Sequence, residues 1–340
     1  MKSRLFAMTK VLQLGVIAAA LMLASSSSAA QDKSKDQAPQ ASKGEQEATL
    51  KVQSAPDIPA KLKAAGEFIK KYPKSAQRAK VVGYVVQEIN NTPDPAQKIS
   101  FLENALTVFK EPVDADIITP ILIDSYIKAK RSDDAFRVAS AAIAKNPNDL
   151  SSLSQMALLG IDEAKRNNPK YVEQSQQYAQ KAIELIEAGK KPDNMDEAGW
   201  KDFQARVLPQ LYQSLGIVSM ITGKKDEAKT RLEKAATLNP ADPFTYVLIG
   251  SLVNEEYQKF AEQHKSQSLG PLKDELLKQA HAKIDQVIEL YARAVALSEG
   301  NEAYKQLHDQ VFEDLKQYYS YRHAGSTNGL NELIAKYKNQ

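Results

Sequence analysis

Residues 209–240 read PQLYQSLGIVSMITGKKDEAKTRLEKAATLNP, and this stretch decides the fold. On either side of Gly223 apolar residues recur at helical spacing, the pattern of two helices that each bury one face. Gly223 accepts the left-handed backbone that ends a helix. Pro240 stops the second helix because it has no N–H to continue the hydrogen-bond ladder. Gly216 in the first helix and Ala228 in the second are small, so the two axes of the hairpin approach closely there. Ala235 gives the same room to the hairpin that follows.

The register recurs upstream. Leu122 stands as far from Ala135 as Leu215 does from Ala228, and Ala135 as far from Pro147 as Ala228 from Pro240. Ala142 falls where Ala235 does, and Tyr126 lies in the first helix. A third unit opens with Tyr246 and Gly250 and closes with Tyr291, Ala294 and Leu297, its helices lengthened and turning near 268–271. Residues 150–188, turning at 167–169, and the helix leading into Pro209 are lengthened as well. From Pro59 onward the chain reads as helical throughout. Its breaks fall at Tyr72-Pro73, Asn91-Thr92-Pro93, Glu111-Pro112, Asn146-Pro147, Asn168-Pro169, Lys191-Pro192, Gly223, Asn239-Pro240, Gly270-Pro271 and Gly300.

This pattern resembles the tetratricopeptide repeat, with Leu-Gly in the first helix, Ala in the second and Pro at its end. The resemblance implies an all-α fold, a right-handed α-solenoid of about six hairpins over residues 59–340, with 301–340 as a C-terminal capping hairpin. Three departures stand out: Lys130 replaces a turn glycine, Ser219 replaces the first-helix tyrosine, and the inserts break the period of about 34 residues. Proteins of this kind bind extended or helical segments on the face lined by first helices. Here that face comprises Ile117, Asp124, Ile127 and Lys128 in one unit, and Gln210, Gln213, Ile217, Met220 and Ile221 in another. The Lys and Asn clamp by which chaperone-binding relatives hold a terminal carboxylate is not reproduced at Asp124, Gln213 and Ile217.

Residues 1–30 have a basic start (Lys2, Arg4, Lys10), an apolar run at 11–24 and a small-residue end. This is the form of a secretory signal peptide, with cleavage expected between Ala30 and Gln31. The run is shorter than the roughly 20 residues of a membrane span, so no transmembrane segment is expected after cleavage. Residues 31–58 are polar, without an aromatic or an apolar period, and are expected to be a disordered linker. The chain has no cysteine, which excludes disulfides, thiolate metal sites, a cysteine nucleophile and a lipidated N-terminal cysteine. An exported protein of this composition fits a bacterial envelope, in the periplasm or secreted.

Lys and Arg number 45 against 42 Asp and Glu. Removing the three basic residues of the signal segment balances the signs, so nucleic acid is not the expected partner, a local patch aside. His264, His281, His308 and His323 show no ligand spacing, and His281 with Asp285 reads as a surface pair. No phosphate loop, nucleophile elbow or dinucleotide motif is present, so no catalytic residue, metal or cofactor is assigned. Phe312, Tyr318, Tyr319, Tyr321 and Tyr337 read as the buried seam of the last hairpin in preference to an exposed aromatic surface.

The function expected from these features is a non-catalytic scaffold holding a protein or peptide. Two alternatives stay open: an accessory subunit of outer-membrane or surface-polymer assembly, and an enzyme with its chemistry in the inserts at 193–200 or 263–273. Trp200, in the first of these, reads as a helix anchor rather than a stacking platform.

Overall fold

The computed structural model describes residues 41–193 and 195–338. Among these residues there are helices and turns but no strand, and they fall into two compact units divided after Met156. The expected signal segment, and the expected linker up to residue 40, lie outside the described residues.

The N-terminal unit holds α1 (Lys43–Ser54), α2 (Ile58–Lys71), α3 (Arg78–Asn90), α4 (Pro95–Val108), α5 (Pro112–Lys128), α6 (Ser132–Lys145) and the start of α7 (Leu150–Lys165). Local chemistry sets the starts. The Asp57 and Asp94 carboxylates accept from the N–H groups of Ala60 and Gln97 at 2.8 and 2.7 Å, each with a proline in the first turn. Such caps satisfy donors that have no partner inside the helix. Between the helices Phe68, Val85, Ile89, Leu102, Ile118 and Ile123 are buried. Arg78 on α3 holds Asp114 on α5 through Nε and Nη2, at 3.1 and 2.6 Å, and Asp114 is only 1% exposed.

Residues 43–54 differ from the expected linker: they are helical. Ser42 and Glu45 form a reciprocal capping box, with the Ser42 N–H donating to Glu45 at 2.8 Å and the Glu45 N–H to Ser42 Oγ at 3.3 Å. Val52 is fully buried. The Lys61 ammonium and the Tyr84 hydroxyl both donate to the Gln53 carbonyl, at 2.9 and 3.2 Å. Tertiary contacts to α2 and α3 thus supply what the polar composition lacks.

The C-terminal unit continues from α7 through α8 (Val172–Glu187), α9 (Glu197–Ile221), α10 (Lys225–Leu238), α11 (Pro243–Ser266), α12 (Pro271–Ser298), α13 (Lys305–Arg322) and the short α14 (Leu330–Ala335). Consecutive helices from α8 to α13 pack against one another, and α14 lies on α12. The expected lengthening is present in α9, α11 and α12, with 25, 24 and 28 residues, but not at 150–188, where α7 and α8 have 16 each against 17 and 14 in α5 and α6. Pro209 sits inside α9 and does not end it.

One turn recurs at five helix ends. Lys130, Asn167, Gly189, Gly223 and Ala324 all have positive φ, from 52° to 76°. In each case the following N–H reaches back to a carbonyl in the last turn: Arg131 to Tyr126, Asn168 to Glu163, Lys190 to Leu185, Lys224 to Ser219 and Gly325 to Ser320, at 2.8 to 2.9 Å. This Schellman closure accounts for Gly223 and shows that Lys130 occupies a glycine's place. Replacing Lys130 by Gly is therefore expected to stabilise the N-terminal unit by about 0.5–1 kcal/mol, by relief of left-handed strain. The urea midpoint checks it; Lys145→Gly, in the last turn of α6, is the contrasting control and is expected to destabilise.

Candidate protein-binding faces

Small residues mark where the two helices of a hairpin touch. A Cβ at Gly216 would stand 2.7 Å from Leu232 Cγ and 3.4 Å from the Ala228 carbonyl oxygen, as the sequence register requires. At Gly250 a Cβ would meet the Tyr291 ring at Cε1 and stand 2.8 Å from Cδ1. Gly160 on α7 is tighter still, with a Cβ there meeting Ser175 Oγ and standing 2.8 Å from Ser175 Cβ. This third contact leaves no repeat signal in the sequence, because Ser175 replaces the alanine and the period is broken there. Leu122, Tyr126, Ala135, Leu215, Ala228, Ala235, Tyr246 and Ala294 are all buried, whereas Ala142 is only half-buried.

In the N-terminal unit α5 carries two apolar stripes. Ile118, Leu122, Ile123 and Tyr126 are buried. On its other side Val113 is 59% exposed, and Ile117, Ile121 and Ile127 are half-buried. Asp124 and Lys128 form a 2.7 Å ion pair one turn apart at the C-terminal end of that second stripe, within the arc between Ile127 and Ile121. The buried stripe is fixed by Tyr126, whose hydroxyl donates to Glu103 on α4 at 2.5 Å. Burial, and after it the Glu103 carboxylate, push the Tyr126 phenol up to about 12. The Arg131 guanidinium lies 4.8 Å from its ring.

In the C-terminal unit the expected face on α9 is only partly open. Ile217 is 8% exposed and packs with Ile161, Val218, Phe244 and Leu248. It belongs to the seam between neighbouring first helices, not to a free surface. Met220 is half-buried against the core of the unit. Gln213 donates to Asp242 at 2.5 Å and to Thr245 Oγ1 at 2.7 Å, tying α9 to the cap of α11. Gln210 is half-buried, and Ile221 is 54% exposed. On α11, Asn254 and Glu255 occupy the register positions of Met220 and Ile221. Glu255 pairs with Lys225 at 2.6 Å, and Asn254 Oδ1 is buried without a hydrogen-bond partner among the described residues.

No protein-family model and no curated protein matches the sequence. Among solved structures the chain is similar to PilF of Pseudomonas aeruginosa, at 16% identity over 86% of this chain and 100% of that one, with a TM-score of 0.37. It is also similar to a tetratricopeptide repeat protein of Parabacteroides merdae, at 14% identity over 88% and 100%, TM-score 0.39. A thermophilic tetratricopeptide repeat protein of Thermus thermophilus aligns at 14% identity over 69% and 96%, TM-score 0.37. The contacts at Gly216 and Gly250 define the repeat. These hairpins are tetratricopeptide-like.

The other residues singled out from sequence serve the tetratricopeptide-like array itself. Trp200 is 6% exposed and stacks on Phe203 at 5.8 Å. Tyr319 is buried and donates to the Asn328 carbonyl at 2.9 Å, while Tyr318 sits edge-on to Tyr257 at 6.4 Å. Tyr337 donates to Glu289, Phe312 packs on the core, and Tyr321 alone of the group is exposed, at 59%. Asp285 is taken by Arg322, with contacts of 2.7 and 3.0 Å. His281 is held below its ordinary value, first by burial and then by Arg322. Among the described residues no group of three metal-ligating side chains converges, and no helix is long and apolar enough to cross a membrane.

Proposed function

We propose that this chain is an exported bacterial scaffold that holds a protein or peptide segment without performing chemistry on it. The second stripe of α5 carries the reading. A helix that is apolar on two sides normally has both covered, yet Val113, Ile117, Ile121 and Ile127 are left half-buried or exposed beside a single charged pair. Such a mixed strip, with Asp124 and Lys128 inside the arc that Ile127, Ile117 and Ile121 span, suits an amphipathic helical or extended segment. On α9, Ile221 is the one residue of the expected face that is largely exposed, at 54%. The three-part N-terminus and the absence of cysteine support placement in the envelope. The burial of Trp200 supports structural work in the insert at 193–200 over substrate stacking.

A photo-crosslinking residue at Ile117, and separately at Ile221, tests this in cells. The expected result is a discrete adduct with one protein, lost when Ile121 is replaced by Asp while the melting temperature changes little. Absence of any adduct at both positions, or adducts unaffected by Ile121→Asp, overturns the reading.

A further inference from the structure

The segment from Lys61 to Lys80 carries seven basic side chains, Lys61, Lys63, Lys70, Lys71, Lys74, Arg78 and Lys80, against one acid, Glu67. Internal partners account for part of this charge. Lys61 turns inward to the Gln53 carbonyl and the Tyr84 hydroxyl, Arg78 closes on Asp114, and Glu67 is taken by Lys51 at 2.6 Å. Lys63, Lys70, Lys71, Lys74 and Lys80 are all exposed, and none closes an ion pair among the described residues.

Helix geometry gathers these ammonium groups. Lys70 and Lys71 lie in the last turn of α2, Lys74 in the connection and Lys80 in the first turn of α3. Lys63 stands two turns before Lys70 on the same side of α2. Of the acids at this end, Glu45 accepts from Ser42 and Ser75, and the exposed Glu111 lies near Arg78. No exposed apolar anchor lies among the lysines. Leu62 and Phe68 are buried, and Tyr72 is half-buried with the Lys71 ammonium 5.2 Å from its ring.

We propose that this lysine-bearing end of the N-terminal unit docks on an anionic lipid surface. A protein partner gains its affinity from buried anchors, and single-stranded nucleic acid from aromatic platforms; this patch offers neither. A sheet of lipid phosphates needs only ammonium groups close to it, and each contributes about a five-fold gain in binding. The α5 and α9 faces are not involved, so failure here leaves the scaffold reading intact.

Vesicle co-sedimentation of the full chain tests the proposal, comparing phosphatidylcholine alone with phosphatidylcholine containing phosphatidylglycerol. The expected result is binding at least about ten-fold tighter to the anionic vesicles, falling with added salt. Most of the excess should be lost in the triple variant Lys70→Glu, Lys71→Glu, Lys74→Glu and reduced when Gln replaces the same three residues. Binding through residues 1–30, whose Lys2, Arg4 and Lys10 also favour anionic lipid, is the same in parent and variants, so the reading is the part of the excess that the triple variant loses. Equal binding to the two vesicles overturns the proposal, as does an excess that the triple variant keeps in full. A polyglutamate peptide or single-stranded DNA bound in preference to the anionic vesicles also overturns it. The replaced side chains are exposed, so the variants should melt as the parent does.

Discussion

Asp114→Ala is expected to lower the stability of the N-terminal unit by about 3–5 kcal/mol, the cost of leaving a desolvated charge without its counterion. Arg78 is 13% exposed and Asp114 2% exposed at the side chain, and they meet through a two-pronged contact of 2.6 and 3.1 Å. Removing the carboxylate leaves the guanidinium between α3 and α5 with little water to replace it. Net stabilities of whole domains are only about 5–15 kcal/mol, so the effect is large. Hydrogen exchange in α3 and α5 reads it locally, which suits an array in which different hairpins open at different free energies. Replacing both partners, Arg78→Met with Asp114→Leu, should recover most of the loss, because two apolar side chains need no counterion. If the double variant is as unstable as the single one, the pair is not the source of the effect.

Gly250→Leu should cost about 3 kcal/mol, the upper part of the range for overpacking. The obstacle is Tyr291, whose ring stands where a Cβ would go and which is itself 3% exposed. Tyr291 is wedged against Tyr318 at 6.1 Å, so the ring has little room to turn away and the α11–α12 hairpin must open. Gly83→Leu supplies the contrast. Nothing lies within 4 Å of a Cβ there, and the change should remain within about 1 kcal/mol. Thermal melts of the two variants decide it; similar shifts would mean that α11 and α12 do not touch at Gly250.

The helix ends were legible because their chemistry is local. Tyr72-Pro73, Asn146-Pro147, Gly223, Gly270-Pro271 and Gly300 each stand at or just past an observed helix end or start. Pro120 and Pro209 show the limit of that signal, since both sit inside helices. The helix at 43–54 was missed because it buries just one apolar residue, Val52, although Ser42 and Glu45 stand at capping-box spacing. The binding faces were legible only in part. Helical register placed Ile217 outward, but whether a first-helix residue is covered depends on neighbours far along the chain, here Ile161, Phe244 and Leu248. The second stripe of α5 was half seen, through Ile117 and Ile127. Val113 and Ile121 complete it only when burial is known. The Arg78–Asp114 pair spans 36 positions and leaves no local trace.

The account depends on Gly216 facing Leu232 across the hairpin α9–α10. A double-mutant cycle with Gly216→Leu and Leu232→Ala measures that contact directly. Each change alone should destabilise, the first by about 1–3 kcal/mol and the second by about 2–5 kcal/mol. Together they should cost less than their sum by at least about 1 kcal/mol, because the new side chain fills the space the old one vacates. Strict additivity would contradict the account, since it would place the two residues out of contact.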